Sequence, residues 1–104
     1  MRRLGDAVQT ALRRFGLEAE VARAEAVGAW PEVAAATIGP DAALTRAIRV
    51  EDRTLVVAVP TAAWAVEIRL RERDLVAGLR RAVRGSDVAK IRCVPSEGGP
   101  VAKP

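Results

Sequence analysis

Four arginines recur along one predicted helix in the C-terminal half of the sequence. They project within one narrow arc when successive helical residues are rotated by about 100°. These residues are Arg69, Arg73, Arg80 and Arg84. Because guanidinium groups bind phosphates in a bidentate manner, this arc predicts a surface that contacts nucleic-acid phosphates, extended by Lys90 and Arg92 on the strand that follows. Two alternatives remain open, an acidic protein partner and an ordinary solvated helix face.

The positive charge of the chain is concentrated in the same region. The formal net charge is +4, and 15 of the 17 basic residues are arginine. Residues 69–92 contain eight basic and three acidic side chains, whereas residues 1–38 contain five of each. This asymmetry places the candidate binding surface in the C-terminal half.

The composition removes most catalytic mechanisms. The sequence has no His, and its one Cys is Cys93. A Ser-His-Asp or Cys-His nucleophile and a Cys/His zinc site therefore lack their residues. No Gly-rich phosphate loop follows a predicted strand. We therefore predict no catalytic, metal or cofactor-binding residue, and we interpret Cys93, which alternates with Ile91, as a small buried hydrophobe.

The hydropathy pattern positions these residues on alternating helices and strands. Helical spacing of apolar residues predicts helices over 3–15, 18–28, 31–37 and 62–84. Alternating patterns predict strands over 44–50, 55–59 and 88–94, with the first two joined by a short loop at 51–53. The order α-α-β-β-α-β predicts an α+β fold in which helices cover one face of a three-stranded sheet.

The apolar face of the long predicted helix defines the expected core. Trp64, Ile68, Leu75, Leu79 and Ala82 fall within one arc, opposite the four arginines. Trp30 lies at a helix junction, so we interpret both tryptophans as structural rather than as platforms for base stacking. The predicted strands carry no aromatic residue, which favours contact with a nucleic-acid backbone or a protein over base recognition.

Length and terminal composition set the domain organisation. A chain of 104 residues suits one domain, predicted over 1–94, followed by a flexible Gly/Pro-rich tail over 95–104. No apolar run approaches the ~20 residues that span a bilayer. The N-terminus has no secretory pattern. These features predict a cytoplasmic protein without membrane contact, and they leave its oligomeric state open.

Several segments together resemble the bacterial DciA family. The resemblance spans residues 4–94, and its most specific part is the apolar hairpin followed by the helix that carries Trp64. The matching segments are Trp30-Pro31-Glu32-Val33, residues 45–57, residues 61–70 and Ala89-Lys90-Ile91-Arg92. The resemblance implies a KH-like domain that recruits or loads the replicative DnaB-type helicase when replication begins, has affinity for DNA and performs no catalysis.

The sequence departs from the family pattern in three places. Ala34-Ala35 stands where a Val-Gly pair is usual, and the hairpin turn at Asp52-Arg53 lacks Gly. The tail is short and weakly charged, whereas many members carry a long basic extension. The leading prediction is a non-enzymatic replication accessory protein that binds the helicase and single-stranded DNA. The alternatives are a KH-like RNA-binding module and a domain that binds only proteins.

Overall fold

The computed structural model describes residues 17–96, together with Val8 and Thr10. Within this range the fold is α+β, with three α-helices and one mixed three-stranded sheet, which confirms the predicted class. The elements are α1 (Glu18–Thr37), a 3-10 helix (Pro40–Leu44), β1 (Arg46–Glu51), β2 (Thr54–Val59), α2 (Ala62–Leu70), α3 (Glu72–Ala82) and β3 (Lys90–Pro95). The helix predicted over 3–15 lies outside the described residues, apart from Val8 and Thr10, which are helical.

Helix α1 runs without interruption through residues 29 and 30, which lie between two predicted helices. The prediction of separate helices over 18–28 and 31–37 is therefore wrong. Pro31 lies inside the helix, where the missing N–H and the ring cost about 3 kcal/mol. The buried stripe of Ala26, Trp30 and Ala34 continues across this point. Burial of that stripe outweighs the local preference of Pro31 to begin a new helix.

The long helix predicted over 62–84 is divided at Arg71, which corrects the sequence interpretation. Arg71 has φ −110° and ψ 14°, and it separates α2 from α3. Its side chain pairs with Glu67 and donates from Nη1 to the carbonyl oxygen of Thr37 at 3.4 Å, at the C-terminal end of α1. The contact with Thr37 joins the break between α2 and α3 to the end of α1, and α3 packs against α1.

The sheet has the order β1-β2-β3, with β2 at its centre. The β1 and β2 strands pair antiparallel as a hairpin, and β2 pairs with β3 in parallel. The parallel pairing requires a crossover, which α2 and α3 supply. Strand β3 begins at Lys90 and ends at Pro95, two residues later and one residue farther than predicted.

A β-bulge in β1 sets which residues face the helices. The register shifts between Ala47 and Arg49, so Ile48 is the extra residue. In a regular strand Ala47 and Val50 would lie on opposite faces. The bulge places both against the core. The regular alternation predicted over 44–50 would put Ile48 and Val50 on one face, and it is therefore wrong.

The turn of the hairpin contains two residues in the left-handed region. Asp52 has φ 51° and Arg53 has φ 63°. Positive φ at both central residues matches the right-handed twist of the strands, and Asn-Gly or Asp-Gly is the usual pair. The carbonyl oxygen of Arg53 accepts hydrogen bonds from the N–H groups of Ala89 and Lys90, at 2.8 and 3.2 Å. The turn thus also anchors the start of β3.

The hydrophobic core lies between the helices and one face of the sheet. Trp30, Ile68, Leu75 and Leu79 are each at most 1% exposed, whereas Trp64 is half-buried at the margin of the core. The core includes members from α1, the 3-10 helix, β2, α2, α3 and the loop before β3. The expectation for Ala82 is wrong, because Ala82 is exposed and Val83, at the C-cap of α3, is buried instead.

Helices α1 and α3 approach closely at Gly78. A Cβ atom at this position would lie 2.8 Å from Cγ1 of Val33. Real Cβ atoms essentially never come that close to a neighbouring side chain. The absence of a side chain at Gly78 therefore permits this packing distance.

Candidate nucleic-acid interface

Four basic side chains share the face of the sheet that points away from the helices. Ala47, Val50, Ile91 and Cys93 pack against the core. Since successive side chains of a strand alternate between faces, their neighbours in sequence point outward. These neighbours are Arg46, Arg49, Lys90 and Arg92, all of them exposed. We call the side of the sheet that carries these four residues the outer sheet face.

The strand register determines the layout of the outer sheet face. Arg49 and Arg92 lie on either side of Val56, and Arg46 lies beside Ala58. Lys90 pairs with Thr54 at the end near the hairpin turn. The basic side chains thus flank a central strand whose outward residues are small or uncharged.

Glu51 links the two flanking strands across β2. Its Oε2 accepts from Nε of Arg49 at 2.9 Å and from Nη2 of Arg92 at 3.3 Å. The second contact joins β1 to β3, so the side chains cross the central strand. Val56 is fully buried although it lies on the outer sheet face. With one carboxylate among four cations, this surface retains a charge of +3.

The six predicted phosphate-contacting residues do not all lie on one surface, although Arg69, Lys90 and Arg92 line one groove. Lys90 and Arg92 lie on the outer sheet face. Arg69 lies on α2 beside a groove at the free edge of β3. The division of the helix at Arg71 separates Arg69 from the arginines of α3, which explains why a single helical arc does not describe them.

The remaining three arginines lie on or after α3. Arg73 is exposed on the first turn of α3. Nε of Arg80 donates to the carbonyl oxygen of Val88 at 3.1 Å, so this side chain ties α3 to the loop before β3. Arg84 follows the end of α3 and lies in a depression with Glu18 and Glu25 of α1. The Arg80 side chain is therefore held by the loop before β3, and the Arg84 side chain lies beside two carboxylates of α1.

The groove beside Arg69 separates helix α2 from the edge of the sheet. It has a volume of about 720 Å³ and is lined by Ile68, Arg69, Glu72 and the β3 strand. A carboxylate oxygen of Glu72 accepts the N–H of Ile91 at 2.8 Å. The free edge of β3 is thus partly satisfied by α3, as is usual for exposed strand edges.

Trp30 is buried in the core, and the half-buried Trp64 packs against its margin. Nε1 of Trp30 donates to Oγ1 of Thr45 at 3.0 Å, and that hydroxyl donates to the carbonyl oxygen of Ala42 at 2.6 Å. Both Trp30 and Thr45 are buried. Thr45 was not singled out from the sequence, because no local pattern connects it to a residue fifteen positions away.

Cys93 lies on the helix side of β3, half-buried beneath α2. Burial raises the pKa of its thiol, the nearby Arg69 lowers that pKa and Glu72 raises it. Reactive cysteines require an exposed, electropositive setting that favours the thiolate. The site therefore favours the neutral thiol and a packing role.

Neither a metal cluster nor a membrane span is found in the described part of the chain. Residues 17–96 contain no group of three or more cysteine and carboxylate side chains placed to hold a metal ion. None of the helices described here combines the length and the hydropathy that crossing a membrane requires.

Comparison with known proteins identifies the family. The sequence gives no match among curated proteins. The family model described as "Dna[CI] antecedent, DciA" matches residues 3–93, which is 91 of the 104 residues. This family is associated with loading of the DnaB-type replicative helicase and is not a known class of enzyme. The match spans every described helix, the β1 and β2 strands and most of β3. The chain belongs to the DciA family.

Proposed function

We propose that this protein is a non-enzymatic accessory of DNA replication that binds the replicative DnaB-type helicase and helps to place it on single-stranded DNA. The family match over nearly the whole chain carries this proposal. The sequence has no His and no Gly-rich phosphate loop after a predicted strand, so we assign any ATP hydrolysis to the helicase. A replication role favours a cytoplasmic location.

The outer sheet face is the proposed contact for the DNA backbone. Its four cations lie on two strands held in fixed register by β2. Arginine can bind phosphate oxygens in a bidentate manner, and such contacts carry no sequence information. The three described strands carry no aromatic side chain on which a base could stack. We therefore expect binding that depends on salt and is indifferent to base sequence.

Direct binding can be measured with a fluorescent oligo-dT and the full chain. The double variant Arg46→Glu/Lys90→Glu reverses two charges that take no part in the Glu51 network. We expect the affinity to fall at least about tenfold, because each substitution replaces an attraction for phosphate by a repulsion. The slope of log affinity against log salt should decrease by about 0.7 for each lost contact.

A matched control tests the helical arginines. Arg73→Glu/Arg81→Glu makes the same change of charge on the exposed face of α3. If this control abolishes DNA binding and the sheet variant does not, the interface lies on α3 and our assignment is wrong. Tighter binding to a structured RNA than to single-stranded DNA of equal length would instead favour the RNA-binding alternative.

The helicase part of the proposal requires a separate measurement. The purified helicase of the source organism is titrated with the full chain by calorimetry. Unwinding of a forked DNA is then followed with and without the chain. We expect a defined complex and faster recruitment of the helicase to DNA. Absence of any complex at micromolar concentrations would overturn the proposal.

A further inference from the structure

The outward face of α2 is apolar, in contrast to that of α3. Ala62, Val66 and Leu70 recur at four-residue spacing, so they lie in line along the helix. Val66 is 57% exposed and Leu70 is 77% exposed. We call these three residues the α2 ridge. The exposed residues of α3 are mostly charged, namely Arg73, Asp74, Arg80 and Arg81, with Ala82 at its end.

The α2 ridge stands between two depressions. On one side, Ala65 and Arg69 line the groove of about 720 Å³ at the β3 edge. On the other, Ala63 and Glu67 line a shallower depression of about 360 Å³, together with residues 38–41. A helix laid along the ridge could place side chains in both depressions, as ridges and grooves do when helices pack.

The charges beside the ridge differ between its two sides. Glu67 is paired with Arg71, so its charge is compensated within the chain. Arg69 is exposed, and within residues 17–96 it forms neither a hydrogen bond nor an ion pair. An incoming acidic side chain would therefore find an uncompensated cation on the groove side. The ridge itself presents only methyl and methylene groups, which offer nothing to a phosphate.

We infer that the α2 ridge is the docking surface for an amphipathic helix of a protein partner, with apolar side chains over Val66 and Leu70 and a carboxylate against Arg69. This inference rests on the proposed function, which makes that partner the helicase. An amphipathic helix binds by laying its apolar face against an apolar surface, and the ridge supplies such a surface with one cation beside it. The α2 ridge and the outer sheet face belong to different layers of the fold, and they meet at the groove that Arg69 shares with Lys90 and Arg92.

The test compares two sets of exposed apolar side chains. Val66→Ser/Leu70→Ser removes the apolar groups of the ridge, and Leu44→Ser removes an exposed leucine from the 3-10 helix. All three positions are exposed, so thermal unfolding should change little in either variant. We expect the ridge variant to bind the purified helicase at least about tenfold more weakly, equal to about 1.4 kcal/mol. The Leu44→Ser control should bind as tightly as the wild type.

A charge reversal adds a second measurement. Arg69→Glu should weaken the complex, whereas Arg69→Lys, which keeps the positive charge, should largely restore it. Oligo-dT binding should be unchanged in the ridge variant, which separates the protein surface from the DNA surface.

The outcomes distinguish this inference from the proposed function. If the wild type binds the helicase and the ridge variant binds equally well, the ridge is not the docking surface. If the Leu44→Ser control weakens binding as much as the ridge variant, the effect is general and the inference also fails. If the wild type does not bind the helicase, the proposed function itself is wrong. If the ridge variant loses DNA binding instead, the ridge is a nucleic-acid surface.

Discussion

The buried hydroxyl of Thr45 should contribute more to stability than its size suggests. It accepts from Nε1 of Trp30 and donates to the carbonyl oxygen of Ala42, at 3.0 and 2.6 Å. Thr45 is 6% exposed and Trp30 is 1% exposed, so water has little access to either partner. Thr45→Val keeps the shape of the side chain and removes both hydrogen bonds.

The expected magnitude follows from Nε1 of Trp30, which loses its hydrogen-bond partner, whereas the carbonyl oxygen of Ala42 still accepts the backbone N–H of Thr45 at 2.9 Å. A buried donor left without a hydrogen bond costs about 1–3 kcal/mol, so Thr45→Val should lower the free energy of unfolding by about 1–3 kcal/mol. Thr45 has an extended backbone, with φ −102° and ψ 156°, which valine adopts readily. Backbone preference therefore does not contribute to the loss.

Thr45→Ser is the matched control, since it keeps the hydroxyl and removes one methyl group. That deletion should cost about 1 kcal/mol. Urea unfolding followed by tryptophan fluorescence gives both values, provided that the dependence on denaturant is the same in all three proteins. If the valine variant is within about 0.5 kcal/mol of the wild type, or if serine destabilises as much as valine, the hydrogen-bond argument is refuted.

Three further outcomes follow from the structure. Gly78→Ala should destabilise the wild type, because its Cβ meets Cγ1 of Val33 at 2.8 Å. In a Val33→Ala background the same substitution should stabilise the protein by about 1 kcal/mol through helix propensity. Equal effects on urea unfolding in both backgrounds would refute the clash. Cys93 should react with a thiol reagent more slowly in the folded protein than in urea, because burial raises its pKa; a folded rate equal to the unfolded rate would contradict this. The folded state keeps a proton on the thiol that the unfolded chain loses, so this contribution to stability is present below the pKa of the unfolded thiol and is lost as the pH rises through the folded pKa. Glu51→Gln should tighten oligo-dT binding by adding one net positive charge, with less than about 1 kcal/mol of change in stability because its ion pairs are exposed; unchanged affinity would argue against the outer sheet face.

The periodicity of apolar residues and the positions of Gly and Pro were sufficient to predict the fold class and most of the core residues. The alternation in residues 55–59 and the helical spacing of Leu75 and Leu79 have local causes, so they are visible in a single sequence. The continuous α1 helix is different, because its passage through Pro31 depends on the burial of Trp30 against distant residues.

The candidate site was harder to predict than the fold. Assigning Arg69 and Arg73 to one helical arc assumed a straight helix, but the helix breaks at Arg71, whose side chain contacts Thr37, 34 residues earlier. Which way Arg46 and Arg49 point depends on the bulge at Ile48, which sequence alternation alone did not reveal. The break at Arg71 and the bulge at Ile48 both concern long-range contacts or register, and a pattern of residue types contains little information about either.

The crossover between β2 and β3 has a consequence for the order in which the molecule assembles. Two residues connect β1 to β2, whereas residues 60–89 separate β2 from β3. Hairpins of short connection form within about 1–10 μs, while pairing across a long segment must first overcome a larger loss of chain entropy. We therefore expect β3 to join a hairpin that already exists. Arg46 and Arg49 are then in place early, but Lys90 and Arg92 join them only when the last strand docks. The proposed DNA surface is thus complete only in the fully folded chain, and a folding intermediate that lacks β3 would present only half of its cations.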